Sequence, residues 1–167
     1  MQNKNKVLDL NQLRSVKLKF KNKKIVLCHG VFDLLHVGHI NYFKAAKNLG
    51  DILVVSVTDD QFVNKGPGRP AFKTDDRIKF LKEIKCIDYL CVSHATTSEK
   101  IIKNLKPNFY CKGIDYTNVS RKKDHNLDKE IKALKSFRGK FSIIKEKNFS
   151  SSKNINDNGL QNFSEEC

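Results

Sequence analysis

Five short runs recur along the chain, KIVLCHG, DILVVSVTDD, DYLCVSH, NFYCKG and KFSIIK, each apolar at successive positions rather than at alternate ones. A strand with one wet face alternates apolar and polar residues, whereas a strand covered on both faces stays apolar throughout, as in a parallel sheet sandwiched between helices. Patterns of helical period lie between the runs. Tyr42, Ala45, Ala46 and Leu49 make an i, i+3, i+4, i+7 stripe closed by Gly50. TTSEKIIKNLKP opens on capping residues and stops at Pro107, NLDKEIKALKSFRG stops at Gly139, and a further helix opens at Thr74. The order β-α-β-α-β-α-β-α-β predicts an α/β fold, a doubly wound five-stranded parallel sheet with helices on both faces. Residues 1–23 are expected to add a helix before the first strand, the folded domain to cover 1–153, and the polar stretch 154–167 to be a tail or linker.

Ligands of such sheets collect in the crevice beyond the carboxyl ends of the strands. The unusual residues of this chain fall there: His29 to His39 after the first run, Thr58 to Lys65 after the second, Lys112 to Asp115 after the fourth, and Asn148 to Lys153 after the fifth. In HGVFDLLHVGHINYF, His36 and His39 are one helical turn apart where a helix begins, so their rings project on one side, beside N–H groups that lack an intrahelical partner. The positive end of the helix dipole lies there, and Gly38 carries no side chain to hold an anion off the backbone. With Gly30 and Asp33 nearby, the pair predicts a phosphate cradle rather than two structural histidines.

Arg77 shares a stripe with Phe80, Leu81 and Ile84, which puts a guanidinium on an apolar face where it needs an anion. A buried carboxylate such as Asp33 or Asp59 and a nucleotide phosphate are both open as partners. VNKGPGRPAFKTDDR has two glycines and two prolines in a basic segment and reads as a loop at the ligand edge, where Lys65 and Arg69 carry positive charge. Ser150, Ser151 and Ser152 bring hydroxyls to a second phosphate-binding helix start, or to an ordinary linker.

GVFDLLHVGH resembles the HxGH signature of the cytidylyltransferase-like nucleotidylyltransferase superfamily, in its FDxxHxGH version. NKGPGRPAF, DDR, KGIDY and FSSSKNIN extend the likeness over most of the chain, closest to heptose-1-phosphate adenylyltransferase domains and to cytidyltransferase-like domains fused to ribokinase-type sugar kinases. The resemblance implies a Rossmann-like fold and transfer of AMP or CMP from ATP or CTP to a phosphorylated sugar or polyol, with pyrophosphate released and Mg²⁺ used. It implies catalytic roles for His36, His39, Lys65 and Arg77. It implies nucleotide contact for Gly30, Val31, Phe32, His36, Gly38, His39, Arg69, Lys112, Gly113, Asp115, Ser150, Ser151 and Ser152. It also implies a homodimer. The family shows a basic residue, a glycine and Ser-Thr-Thr where this chain has Asn148 and Ser-Ser-Ser-Lys, so the contacts there differ in detail. Glycerol-3-phosphate cytidylyltransferases share the motif and are the alternative within the family.

The net charge of +14 fits an anionic partner. A nucleic-acid-binding module would gather Lys and Arg on one face with stacking aromatics, but the lysines are scattered and the phenylalanines mostly fall at core positions. No nucleic acid is therefore expected. A nucleotide sensor without catalysis would use the same residues as the enzyme. No run approaches the roughly 18 apolar residues of a membrane span, so no membrane is expected. Five cysteines without a CxxC pair suggest reduced thiols and a cytoplasmic protein.

Overall fold

The computed structural model describes residues 7–116 and 125–145. The elements are β1 (Val7–Leu8), α1 (Leu10–Lys19), β2 (Ile25–Gly30), α2 (Val37–Lys47), β3 (Ile52–Thr58), α3 (Thr74–Lys82), β4 (Tyr89–Ser93), α4 (Glu99–Leu105), β5 (Phe109–Gly113), α5 (His125–Lys135) and β6 (Lys140–Ile144). Single 3₁₀ turns follow β3 and β5, at Asp60–Phe62 and Ile114–Tyr116.

All pairings are parallel, in the order β1-β4-β3-β2-β5-β6. Among the described residues the sheet has six strands instead of the expected five. The addition is β1, two residues whose partners are Leu90 and Cys91 at the open edge of β4. The predicted N-terminal helix is α1, opened by a reciprocal cap in which Gln12 N–H donates to Asp9 Oδ1 at 2.8 Å and Asp9 N–H to Gln12 Oε1 at 2.9 Å.

The strands are apolar throughout because each contributes to two cores. Val26, Cys28, Leu53 and Val55 face α2 and α3, packing on Phe43, Ala46, Ile78 and Leu81. Ile25, Leu27, Ile52 and Val54 face α1, α4 and α5, packing on Leu13, Ile101, Ile102, Leu105 and Leu134. Side chains as fully buried as Phe43 and Leu81 each contribute about 1.5–3 kcal/mol relative to exposure. Phe80 is not part of this burial. It is 53% exposed, and the inward stripe of α3 is Arg77, Ile78 and Leu81.

Cys28, Cys86, Cys91 and Cys111 are free thiols. Burial pushes the Cys91 thiol up to about 12, which keeps it protonated and unreactive. Among the described residues, no helix is long and apolar enough to cross a membrane. The expected extent of the domain to residue 153 and the tail at 154–167 lie outside the described residues.

Candidate active site

The chain leaves β2 at Gly30 and enters α2 at Val37, and the turn between is set by close packing. A Cβ on Gly30 would lie 3.0 Å from the Phe32 ring, so any larger residue would push that ring off its place over the strand end. Phe32 adopts φ 51°, packs on Phe43 at 5.0 Å between ring centroids, and presents its edge to His39 at 5.9 Å.

His36 is the N-cap of α2. Gly38 N–H donates to His36 Nδ1 at 3.1 Å, and His36 N–H donates to His39 Nδ1 at 3.3 Å. A backbone N–H can only donate, so both Nδ1 atoms are acceptors and each neutral ring carries its hydrogen on Nε2. The rings stand 4.1 Å apart between centroids. Neither Nε2 has a partner among the described residues, so two N–H donors lie side by side at the ligand edge. The expected free backbone amides are corrected in part: Gly38 N–H is taken by His36, and His39 N–H bonds His36 O at 2.9 Å. The donors offered to an anion here are imidazoles.

Burial lowers the pKa of both rings, and His36 and Lys65 add to the burial of His39 to bring it down to about 4. Buried His29, whose Nδ1 lies 3.0 Å from Ser56 Oγ, is lowered as well, by burial and then by Lys112. An unfolded imidazole titrates near 6.5, so between that pH and about 4 the unfolded chain binds more protons than the native one. Stability is therefore expected to be complete above pH 6.5 and to fall as the pH drops through this window, before the carboxylates titrate. Thermal unfolding measured from pH 7.5 to 4.5 checks this, and His39→Gln should make the decline shallower. A midpoint unchanged across that range would contradict neutral donor histidines.

Asp33 holds the loop that precedes α3. Its Oδ2 accepts from Arg69 Nη1 and Ala71 N–H, and its Oδ1 from Phe72 N–H, each at 2.9 Å. Burial alone would raise this carboxyl, but the two amides and the guanidinium outweigh it and hold it below the usual carboxylate range. Ahead of the anchor the loop turns through Gly66 (φ 91°) and Gly68 (φ 71°), a conformation that favours glycine. Lys65 is exposed, without a partner among the described residues, and close enough to His39 to depress its pKa. Arg69 gives only Nη1 to Asp33, which leaves its other N–H groups for a ligand.

Arg77 does not face the crevice. It is 0% exposed, and its guanidinium is spent internally: Nε on Phe72 O at 3.0 Å, Nη1 on Val31 O at 2.6 Å, Nη2 on Asp60 Oδ1 at 2.6 Å and on Thr74 Oγ1 at 3.0 Å. Its carboxylate partner is Asp60, not Asp33 or Asp59. Arg77, expected in a catalytic role, is here a buried post tying the end of β2 to the start of α3. Val31, expected at the nucleotide, gives its carbonyl to this post.

Lys112 is likewise withdrawn from the crevice. Its Nζ donates to His29 O at 3.3 Å and lies 3.9 Å from Glu130 Oε2, with the Tyr116 ring 4.7 Å away. Glu130, on α5, also accepts from Ser98 N–H at 2.7 Å and from Tyr110 Oη at 2.8 Å. Sequence reading missed Glu130, although the signal was present: it shares the inward stripe of α5 with Leu127 and Leu134, as Arg77 shares that of α3. Gly113 ends β5, where its register partner is Ile144. The side chain of Asp115 and all of Ser150, Ser151 and Ser152 lie outside the described residues.

A sheet edge offering two imidazole N–H donors beside unpaired cationic charge suits a polyphosphate. Comparison with known proteins places the arrangement. Residues 27–157 match the family model described as Cytidylyltransferase-like. The bifunctional protein HldE of Trichlorobacter lovleyi is 34% identical over 148 residues, which are 87% of this chain and 29% of that protein. HldE of Helicobacter pylori strain Shi470 is 42% identical over 115 residues, 68% of this chain and 25% of that protein. The chain thus spans well under a third of the curated relatives it matches. Among solved structures, the lipopolysaccharide core biosynthesis protein of Thermoplasma volcanium superposes with a TM-score of 0.64 at 30% identity, covering 76% of this chain and all of that one. A pantoate-beta-alanine ligase from Francisella tularensis shares the fold, with a TM-score of 0.58 at 17% identity over 91% of this chain and 73% of that one. With the histidine pair at the start of α2 and residues 27–157 matching the family model, the chain belongs to the cytidylyltransferase-like family of nucleotidyltransferases.

Proposed function

We propose that this protein, as a homodimer, transfers AMP from ATP to a sugar 1-phosphate of the heptose-1-phosphate type and releases pyrophosphate. The observation that carries the reading is the pair of Nε2–H donors fixed side by side at the N-terminus of α2, with Lys65 and the open edge of Arg69 on the loop that Asp33 anchors. An oxygen of the acceptor phosphate attacks the α-phosphorus, and the bond to the bridging oxygen breaks with its electron pair leaving on pyrophosphate. No protein nucleophile is needed. The chain must align the two phosphates and offset the charge that builds as they approach. His36 and His39 donate to the α- and β-phosphates, and Lys65 and Arg69 hold the leaving group. Neither histidine acts as a base, because the attacking oxygen carries no proton.

Among the described residues, no group of three or more His, Cys, Asp or Glu side chains could hold a metal ion. Mg²⁺ would be held by the nucleotide's own phosphates rather than by such a group, and there it would offset phosphate charge.

Pyrophosphate release from ATP and from CTP, assayed against sugar 1-phosphates and glycerol 3-phosphate, tests the reading. ATP with a sugar phosphate is the expected pair. A preference for CTP with glycerol 3-phosphate moves the enzyme to the alternative within its family. Nucleotide binding without release from any pair overturns the transfer reading.

A further inference from the structure

A second imidazole stands at the same edge of the sheet, and its chemistry is the reverse of the first pair's. Asp59 follows the last residue of β3 and His94 the last residue of β4, strands in which Thr58 lies opposite Ser93. Asp59 N–H donates to Ser93 O at 3.0 Å, which sets the two side chains next to each other. His94 Nδ1 then lies 2.7 Å from Asp59 Oδ2, while Asp59 Oδ1 accepts from Thr74 Oγ1 at 3.2 Å. The carboxylate is held at both oxygens and is 19% exposed, whereas the imidazole is 71% exposed.

A carboxylate can only accept, so His94 carries its hydrogen on Nδ1, and the neutral ring presents a lone pair at Nε2. His36 and His39 accept at Nδ1 and donate at Nε2; His94 donates at Nδ1 and accepts at Nε2. A phosphate suits the first pair and is disfavoured beside the Asp59 carboxylate. A hydroxyl suits the second.

Position adds to the chemistry. With β4, β3 and β2 adjacent in that order, Asp59 stands one strand spacing and His94 two, about 10 Å, from the line of β2. That spacing is on the scale of a sugar whose phosphate attacks a nucleotide held at the histidine pair. The dyad also lies on the side of β2 opposite to β5, away from the segment that the family likeness assigns to the nucleotide.

We propose that His94 and Asp59 form a polyol subsite, in which His94 Nε2 accepts a hydroxyl hydrogen of the phosphorylated acceptor. This rests on the transfer reading above. His94 is a specificity-determining residue, and Asp59 is a positioning residue that fixes its tautomer.

Two measurements test it. In pyrophosphate-release assays with ATP, His94→Phe should raise the KM for the preferred sugar phosphate about three- to tenfold, the scale of one lost hydrogen bond. Its nucleotide Kd, by calorimetry, and its melting temperature should stay at the wild-type values. His94→Gln, whose amide oxygen also accepts, should recover part of the loss, and Asp59→Asn should raise the same KM and leave the nucleotide Kd alone. Separately from turnover, the His94 ring resonances of wild-type protein loaded with a non-hydrolysable nucleotide should shift on adding sugar phosphate. If wild-type enzyme turns over and His94→Phe keeps its acceptor KM, the subsite is overturned. Silent His94 resonances, or a shift with phosphoethanolamine alone, also overturn it, the latter by assigning an ammonium site. If no acceptor yields pyrophosphate and the His94 resonances still shift with sugar phosphate, the transfer reading falls and the subsite stands.

Discussion

Replacing His36 or His39 by alanine is expected to lower turnover by about two to three orders of magnitude, the loss seen when one preorganised donor to a charged transition state is removed. Both rings are held neutral with Nε2–H outward by bonds at Nδ1, so the donors need no reorganisation when nucleotide arrives. The alanine variants also carry a structural cost. His36 Nδ1 caps α2, and loss of an N-cap acceptor costs about 0.5–2 kcal/mol. His36→Asn separates the two effects, since its side-chain oxygen can still accept from the helix N-terminus while nothing replaces the Nε2–H. Thermal stability close to wild type with turnover reduced a hundredfold or more is the expected result. Near-normal rates with ATP and CTP in either alanine variant would reduce the histidine pair to a helix cap.

The alternation of apolar runs and helical stripes was enough to place β2 to β6 and their helices, because strands buried on both faces carry an unbroken apolar signal. The strand β1 carried none. Two residues have no periodicity, and Val7 and Leu8 are a strand only because β4 offers them an open edge. The position of the histidine pair was legible as well, since the cap, the glycine and the spacing all lie within a few residues. Its tautomers were not, as they depend on which backbone N–H meets which nitrogen. That Arg77 needs an anion followed from its place on an apolar stripe; that Asp60 supplies it did not, because three acidic residues lie within reach in sequence and only the path of the loop selects one. The Asp59–His94 dyad had no local signal at all. Its members are 35 residues apart and meet because β3 and β4 are neighbours in the sheet.

Arg77→Met is expected to destabilise the nucleotide-free protein by about 3–5 kcal/mol, the usual cost of breaking a buried charge pair from one side. The substitution roughly keeps the volume of the side chain and removes every hydrogen bond it makes. The carbonyls of Val31 and Phe72 then lose their donor, at about 0.5–1.5 kcal/mol for each hydrogen bond. Asp60 loses its cation, but its side chain is 36% exposed and can rehydrate, which places the expected cost toward the lower end of the range. Burial would raise the Asp60 carboxyl, and the Thr74 amide with the Arg77 guanidinium outweighs it, so in the variant that carboxyl should titrate closer to its ordinary value. Arg77→Lys should recover little, because one ammonium cannot span acceptors that a planar guanidinium reaches in three directions. For a domain of this size the melting temperature should fall by on the order of 10 °C. Nucleotide affinity, measured below the new melting temperature, should weaken far less than stability does, since the guanidinium is sealed behind Phe72 and the end of β2. A variant that kept its melting temperature and lost nucleotide binding would return Arg77 to the phosphate site, and would require the loop from Lys65 to Lys73 to open whenever nucleotide binds.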